Sequence, residues 1–172
     1  MSVKIAVSGA AAEAVDRVVP QLVSDLVASR ITGGDETLWG PDAEEESAKR
    51  LGWVEAVSVS RPMVADIVAL RDKLREDGVD HIVLGGMGGS SLAPEVITRK
   101  YGVELTVLDS TDPGQVLAAL GDRLATTAVV ISSKSGSTVE TDSQKRIYEK
   151  FFSEAGIDPL ERIIVVTDPG SP

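Results

Sequence analysis

The chain has 172 residues, 42% of them hydrophobic and 26% charged, with no cysteine and a formal net charge of −10. That is enough apolar material for a packed core, and it excludes a disulfide framework, a thiol nucleophile and a thiolate metal site. The acidic balance argues against a nucleic-acid or anionic-membrane surface, because such phosphates are repelled overall.

Up to Gly78 the periodicity is mainly helical. Val15, Val18, Val19, Leu22, Val23 and Leu26 recur at helical spacing over residues 11–28, with Pro20 as an expected break or kink. A loop follows at Thr32-Gly-Gly-Asp35. The stretch Pro41–Arg50 places three glutamates in its first turns and two bases later, which complements a helix dipole; the triple Glu is read as a solvated face. Pro62 opens another helix carrying Val64, Ile67, Leu70 and Leu74, and Gly78 closes it.

From Asp80 the pattern changes to short aliphatic runs: 82–84, 105–108, 128–131 and 163–166. Runs of that kind are parallel strands covered on both faces, and the stretches between them are long enough for right-handed crossover helices. The fold expected is α/β: a three-layer αβα doubly wound parallel sheet, preceded by an N-terminal helical segment, divided as residues 1–78 and 79–172. Nowhere do enough apolar residues run together to span a bilayer, and the start at Met1 lacks a basic region before a long apolar stretch. The expectation is an unexported protein of the cytoplasm.

Two loops carry the chemistry. Each follows an aliphatic run and opens a helix: Gly85-Gly-Met-Gly-Gly-Ser-Ser-Leu-Ala-Pro-Glu95, and Ser132-Ser-Lys-Ser-Gly-Ser-Thr-Val-Glu-Thr141. Glycine lets a backbone approach a phosphate, hydroxyls add donors, and a helix start offers unpaired amides at the positive end of its dipole. In the first loop Gly88, Gly89 and Ser90 are the binding group, Ser91 is a candidate cap, and Pro94 is expected in the first turn. In the second, the hydroxyls of Ser133, Ser135 and Thr138 and the amides of Lys134 and Gly136 can ring one phosphate. Ser137 and Glu140 have the spacing of a capping box, which would pin the helix start.

Other chemistries fit less well. Asp109 follows the glycines at the distance of a ribose-binding acid, but Gly86-x-Gly88-x-x-Ser91 lacks the third glycine of a dinucleotide fingerprint. There is no Walker sequence and no nucleophile elbow. The one histidine, His81, begins a strand ahead of both loops and is read as a hydrogen-bonded structural residue. No metal-ligand cluster is evident.

The two loops, together with Val107-Leu-Asp-Ser-Thr-Asp-Pro113 and Val165-Val-Thr-Asp-Pro169, resemble the first sugar-isomerase (SIS) domain of the glucose-6-phosphate isomerase family, and Thr37-Leu-Trp-Gly-Pro41 resembles the N-terminal part of its bacterial branch. Gly136 and Val139 stand where the animal pattern has bulkier or polar residues. Carried over by position, the resemblance implies sugar-phosphate contacts at Gly89, Ser90, Ser133, Lys134, Ser135 and Thr138, with Gly136 and Ser137 in the same loop. It leaves Glu140 either a capping acid or a group facing the sugar.

The resemblance further implies an aldose–ketose isomerase of glycolysis and gluconeogenesis that works through a cis-enediol, without metal or organic cofactor. The longer protein is expected to bind a sugar phosphate, and a homodimer is among its expected states. By the family's pattern the acid–base residues and a fifth strand lie beyond this chain, so that no catalytic residue is expected in it and it reads as a truncated piece. The alternatives are a stand-alone SIS regulatory module and the isomerase half of a glucosamine-6-phosphate synthase.

Overall fold

The computed structural model describes residues 4–171. The reading of the chain start at Met1, Ser2 and Val3, and the terminal Pro172, lie outside them. The chain divides into two compact units, Met1–Ile67 and Val68–Pro172.

The first unit is helical. It contains α1 (Ala10–Ser24), α2 (Val27–Thr32), α3 (Glu44–Arg50) and α4 (Ala56–Ser60), joined by short 3₁₀ turns. Contrary to expectation, Pro20 lies inside α1 without ending it. The helix stops instead after Ser24, where Leu26 takes a left-handed conformation (φ 53°) before α2. A proline removes its own amide from the helical ladder and crowds the carbonyl four residues back, and on an exposed helix water can serve that carbonyl. In α3 the three glutamates occupy the first turn, and Lys49 and Arg50 pair with Glu45 and Glu46 at 2.7 Å each. Leu51 is buried, with Trp39 and Trp53 around a shallow apolar cavity beside it. Arg30 and Thr37 both engage Asp35 and hold its carboxyl down to about 2.

The division between the units falls within α5 (Val64–Glu76). Its end is a Schellman turn: Val79 donates to Leu74 O at 2.9 Å and Gly78 to Arg75 O at 3.1 Å. That geometry needs the positive φ of 81° at Gly78, which glycine adopts without a Cβ clash, and it brings Leu74 and Val79 together in the core.

Four parallel strands follow in the second unit: β1 (His81–Gly86), β2 (Thr106–Leu108), β3 (Thr127–Ser132) and β4 (Ile163–Val166), in the order β2-β1-β3-β4. Between them run α6 (Gly89–Tyr101), α7 (Pro113–Leu120) and α8 (Val139–Glu154). Successive strand residues point to opposite faces, and the burial follows that rule. Val83, Val129 and Ile131 pack under α7 and α8 with Val116, Leu120, Tyr148 and Phe152; Ile82, Ala128 and Ile164 pack against Leu74 and Val79 on the other face. With helices on both faces, the near-continuous aliphatic strands of the sequence are accounted for. Among the described residues no helix is long and apolar enough to cross a membrane.

Candidate functional site

The strand order makes a topological switch point. The chain leaves β1 toward β2 on one side and returns to β3 on the other, so the loops after the adjacent strands β1 and β3 diverge to opposite faces. The glycines show the divergence directly. A Cβ on Gly85 would meet Gln144 of α8, whereas one on Gly86 would meet Ser90 of α6. In open α/β sheets the crevice outside the carboxyl ends of such a strand pair is where ligands bind. Gly86 and Ser132 are register partners, which sets the two glycine- and hydroxyl-rich loops side by side at that point.

The first loop turns on Gly88 (φ 55°, ψ −121°), which is the N-cap of α6. Gly89 and Ser90 form the start of the helix, exposed and half-buried respectively. The expectation that Ser91 caps the helix is not met: α6 begins earlier, and the buried Ser91 hydroxyl donates back to Gly88 O at 3.0 Å. Pro94 correspondingly lies inside α6 rather than in its first turn, and the Thr98 hydroxyl bonds to the Pro94 carbonyl at 2.9 Å. The end of β1 is crowded between the end of β3 and the start of α6. A methyl group on Gly86 would come to 3.3 Å from both the Ser132 carbonyl and Ser90, tighter than ordinary contact, so glycine permits this approach.

The second loop is held at its base and tied across its mouth. Ser133 is buried and donates its amide to Val166 O at 3.0 Å. Its hydroxyl and that of Thr138 are 2.9 Å apart. Gly136 donates to Ser133 O at 3.3 Å, and Ser135 Oγ accepts from both the amide (3.3 Å) and the hydroxyl (3.1 Å) of Ser137. The Lys134 carbonyl accepts from the Asp168 amide at 3.2 Å, fixing the loop to the chain beyond β4. The structure thus pairs Ser133 with Thr138 and Ser135 with Ser137. Lys134 and Ser137 are exposed; Ser135, Gly136 and Thr138 are half-buried.

The capping box expected of Ser137 and Glu140 does not form. Thr138, not Ser137, is the N-cap of α8, and it makes no side-chain cap because its hydroxyl is turned to Ser133. Glu140 is then in the first turn, where a carboxylate complements the dipole. The consequence is chemical: the N-cap side chain leaves the first-turn amides of α8 uncapped at the positive end of a sixteen-residue helix.

One residue of this region escapes sequence reasoning. Gln144 is 1% exposed, and its Nε2 donates to Leu108 O (3.1 Å) and Ser110 O (3.0 Å) at the end of β2. It belongs to the buried stripe Thr141, Gln144, Tyr148, Phe152 of α8. A polar residue at a core position of an amphipathic stripe was the available signal.

His81 lies at the opposite end of β1 from the loops. Its Nδ1 is 2.9 Å from Thr127 Oγ1 and its Nε2 is 2.8 Å from Thr106 Oγ1. Because the Thr127 hydroxyl donates to Arg123 O at 2.7 Å, it accepts from His81, which places the proton on Nδ1. Burial, with the nearby Arg123 charge, lowers the His81 pKa and keeps the ring neutral. Among the described residues no group of three or more Asp, Glu or His side chains is placed to hold a metal ion.

A parallel αβα sheet with two glycine- and hydroxyl-rich helix starts meeting at its switch point defines a doubly wound α/β protein with a candidate anion-binding edge. Comparison with known proteins gives that class a more particular relation. No protein-family model matches the chain. It is 38% identical over 98 residues to the glucose-6-phosphate isomerase of a Cyanothece species, a match covering 52% of this chain and 18% of that protein. It is 34% identical over 94 residues to the chloroplastic glucose-6-phosphate isomerase 1 of Arabidopsis thaliana, covering 50% of this chain and 15% of the relative. A probable glucose-6-phosphate isomerase of Haloarcula marismortui is 34% identical over 97 residues, or 54% and 22% of the two chains.

Among solved structures, a hypothetical protein from Thermus thermophilus matches with a TM-score of 0.67 and 27% identity over 92% of this chain and 36% of that one. A glucose-6-phosphate isomerase from Chlamydia trachomatis shares the fold, with a TM-score of 0.57 at 24% identity over 83% of this chain and 28% of that one. The sequence resemblance is therefore to glucose-6-phosphate isomerases. The matched segment spans only about a fifth of the length of these curated relatives.

Proposed function

We propose that this chain forms the sugar-phosphate-binding part of a glucose-6-phosphate isomerase, an aldose–ketose isomerase of glycolysis and gluconeogenesis that acts in the cytoplasm. In this reading residues 79–172 are the first SIS domain, and residues 1–78 are its helical N-terminal segment. The substrate phosphate is held by Gly89 and Ser90 from the first loop and by Ser133, Lys134, Ser135, Gly136, Ser137 and Thr138 from the second. Proton transfer belongs to other parts of the parent, which needs no metal or organic cofactor and works as a homodimer. Neither nucleic acid nor a membrane is a partner.

The observation that carries the reading is the adjacency of Gly86 and Ser132, which brings two helix starts to one point of the sheet edge. A phosphate there meets amides whose hydrogen bonds are otherwise unmade, and local donors outweigh a distant net negative charge. Holding the phosphate fixes the reacting carbons for the proton-moving groups, so that remote binding energy is used for orientation. Calorimetric titration of the chain with glucose 6-phosphate tests this. Saturable binding, with none for glucose, is expected; equal responses to the two sugars would refute it.

A further inference from the structure

We propose that Gln144 is a positioning residue that sets the spacing between the two loops, a proposal that rests on the sugar-phosphate reading above. α8 carries the second loop at its N-terminus, and Gln144 lies on its buried stripe between Thr141 and Tyr148. From there the side chain passes beneath the end of β1, where Gly85 leaves room for it: a Cβ on Gly85 would lie 2.7 Å from Gln144 Oε1. Its Nε2 then reaches past β1 to two carbonyls of the chain leaving β2, Leu108 and Ser110. One side chain thereby links α8 to the ends of both β1 and β2. It fixes α8, and with it Thr138 and the uncapped amides, laterally against the strand that feeds the first loop.

The link has a cost, which an apolar residue would avoid. Gln144 Oε1 is buried with no hydrogen-bond partner. Its neighbours on the same stripe, Tyr148 and Phe152, are apolar core residues, which makes the amide the polar exception of the stripe. What methionine or leucine cannot supply is the pair of directed bonds to Leu108 and Ser110. The amide therefore contributes geometry at the expense of packing, and geometry at this place is the distance between two phosphate-binding helix starts.

The test uses the 172-residue chain as wild type, Gln144→Met and Gln144→Glu, titrated calorimetrically with 6-phosphogluconate, alongside thermal unfolding and amide exchange at Ser110, Thr111 and Asp112. Gln144→Met keeps the volume and removes the donor. It should leave the unfolding midpoint nearly unchanged, quicken exchange at those amides and weaken binding about tenfold, the scale of a small misplacement of binding groups. Gln144→Glu faces the two carbonyls as a carboxylate at alkaline pH but regains one O–H donor when protonated on acidification, which burial makes easier by raising such a group above the ordinary carboxylate range. Its affinity relative to wild type at the same pH should therefore recover on acidification, which a packing role would not produce.

Wild-type affinity in Gln144→Met, or a Gln144→Glu ratio independent of pH, overturns the positioning role and leaves the sugar-phosphate reading intact. Should Gln144→Met not fold, the glutamate series decides alone. Failure of the wild type itself to bind 6-phosphogluconate refutes the underlying reading, and the positioning role falls with it.

Discussion

The hydroxyl oxygens of Ser133 and Thr138, at the two ends of the second loop, are 2.9 Å apart. The bond closes the loop into a ring whose floor is a strand end and whose rim is a helix start. It also explains why α8 has no side-chain cap, since the one hydroxyl at the N-cap position is used across the loop.

Thr138→Ala removes the cross-loop bond and the donor proposed for the phosphate, and is expected to weaken sugar-phosphate binding by about 1–3 kcal/mol, the range for a bond to a charged group. Thr138→Ser keeps the hydroxyl and should restore most of it. Ser137→Ala tests the helix cap, read from stability and not from binding. Because Ser137 lies outside the helix and caps nothing, its loss should change stability by no more than about 0.5 kcal/mol in urea denaturation. A loss of about 1 kcal/mol would mean that Ser137 caps the helix in solution.

Gly85→Ala is expected to be destabilising. The added methyl group would lie 2.7 Å from Gln144 Oε1 and 2.9 Å from Ile131 Cδ1, both in the core. Overpacking of this kind costs about 1–3 kcal/mol. In a double-mutant cycle, Gln144→Ala should relieve part of that cost, so the two changes should be less than additive.

Tyr148 gives a prediction with a sign in alkali. Its hydroxyl is buried with no partner, and burial pushes its pKa from 10.0 up to about 12. Between those values the unfolded chain has released a proton that the folded chain keeps, so stability falls as pH rises through that window. Tyr148→Phe removes the effect. It should be neutral or stabilising by up to about 1 kcal/mol at neutral pH, since no bond is lost, and should flatten the alkaline fall in urea denaturation.

His81 works in the acid direction. Burial lowers its pKa below 6.5, so on acidification the unfolded state takes up a proton before the folded state does. Its contribution is present above pH 6.5 and is lost as pH falls below that value. NMR titration of the His81 ring should give a midpoint below 6.5, and one above it would place a charged ring between Thr106 and Thr127.

The strands were legible because covering a parallel sheet on both faces leaves little choice but aliphatic runs. The run 128–131 became β3 at Thr127–Ser132, and 163–166 became β4 unchanged. The loops were legible as glycine and hydroxyl clusters, but their helix starts were not. The positive φ that makes Gly88 the cap of α6 leaves no trace in sequence beyond another glycine, and the capping-box spacing of Ser137 and Glu140 was met by a chain that used Thr138 instead. Pro20 suggested a break or kink, and α1 continues through it without a break. Gln144 was missed for a different reason: its place on the apolar stripe of α8 is a sequence signal, but its partners, the carbonyls of Leu108 and Ser110 far along the chain, are not.

The central claim is that the helix starts after β1 and β3 hold one phosphate between them. Its most direct test is an amide NMR titration of the chain with 6-phosphogluconate. Saturable shifts confined to Gly88–Ser90 and Ser133–Glu140, moving with a single dissociation constant and absent with gluconate, are the result the account predicts. Shifts in one loop without the other, or equal shifts with the unphosphorylated acid, would contradict it.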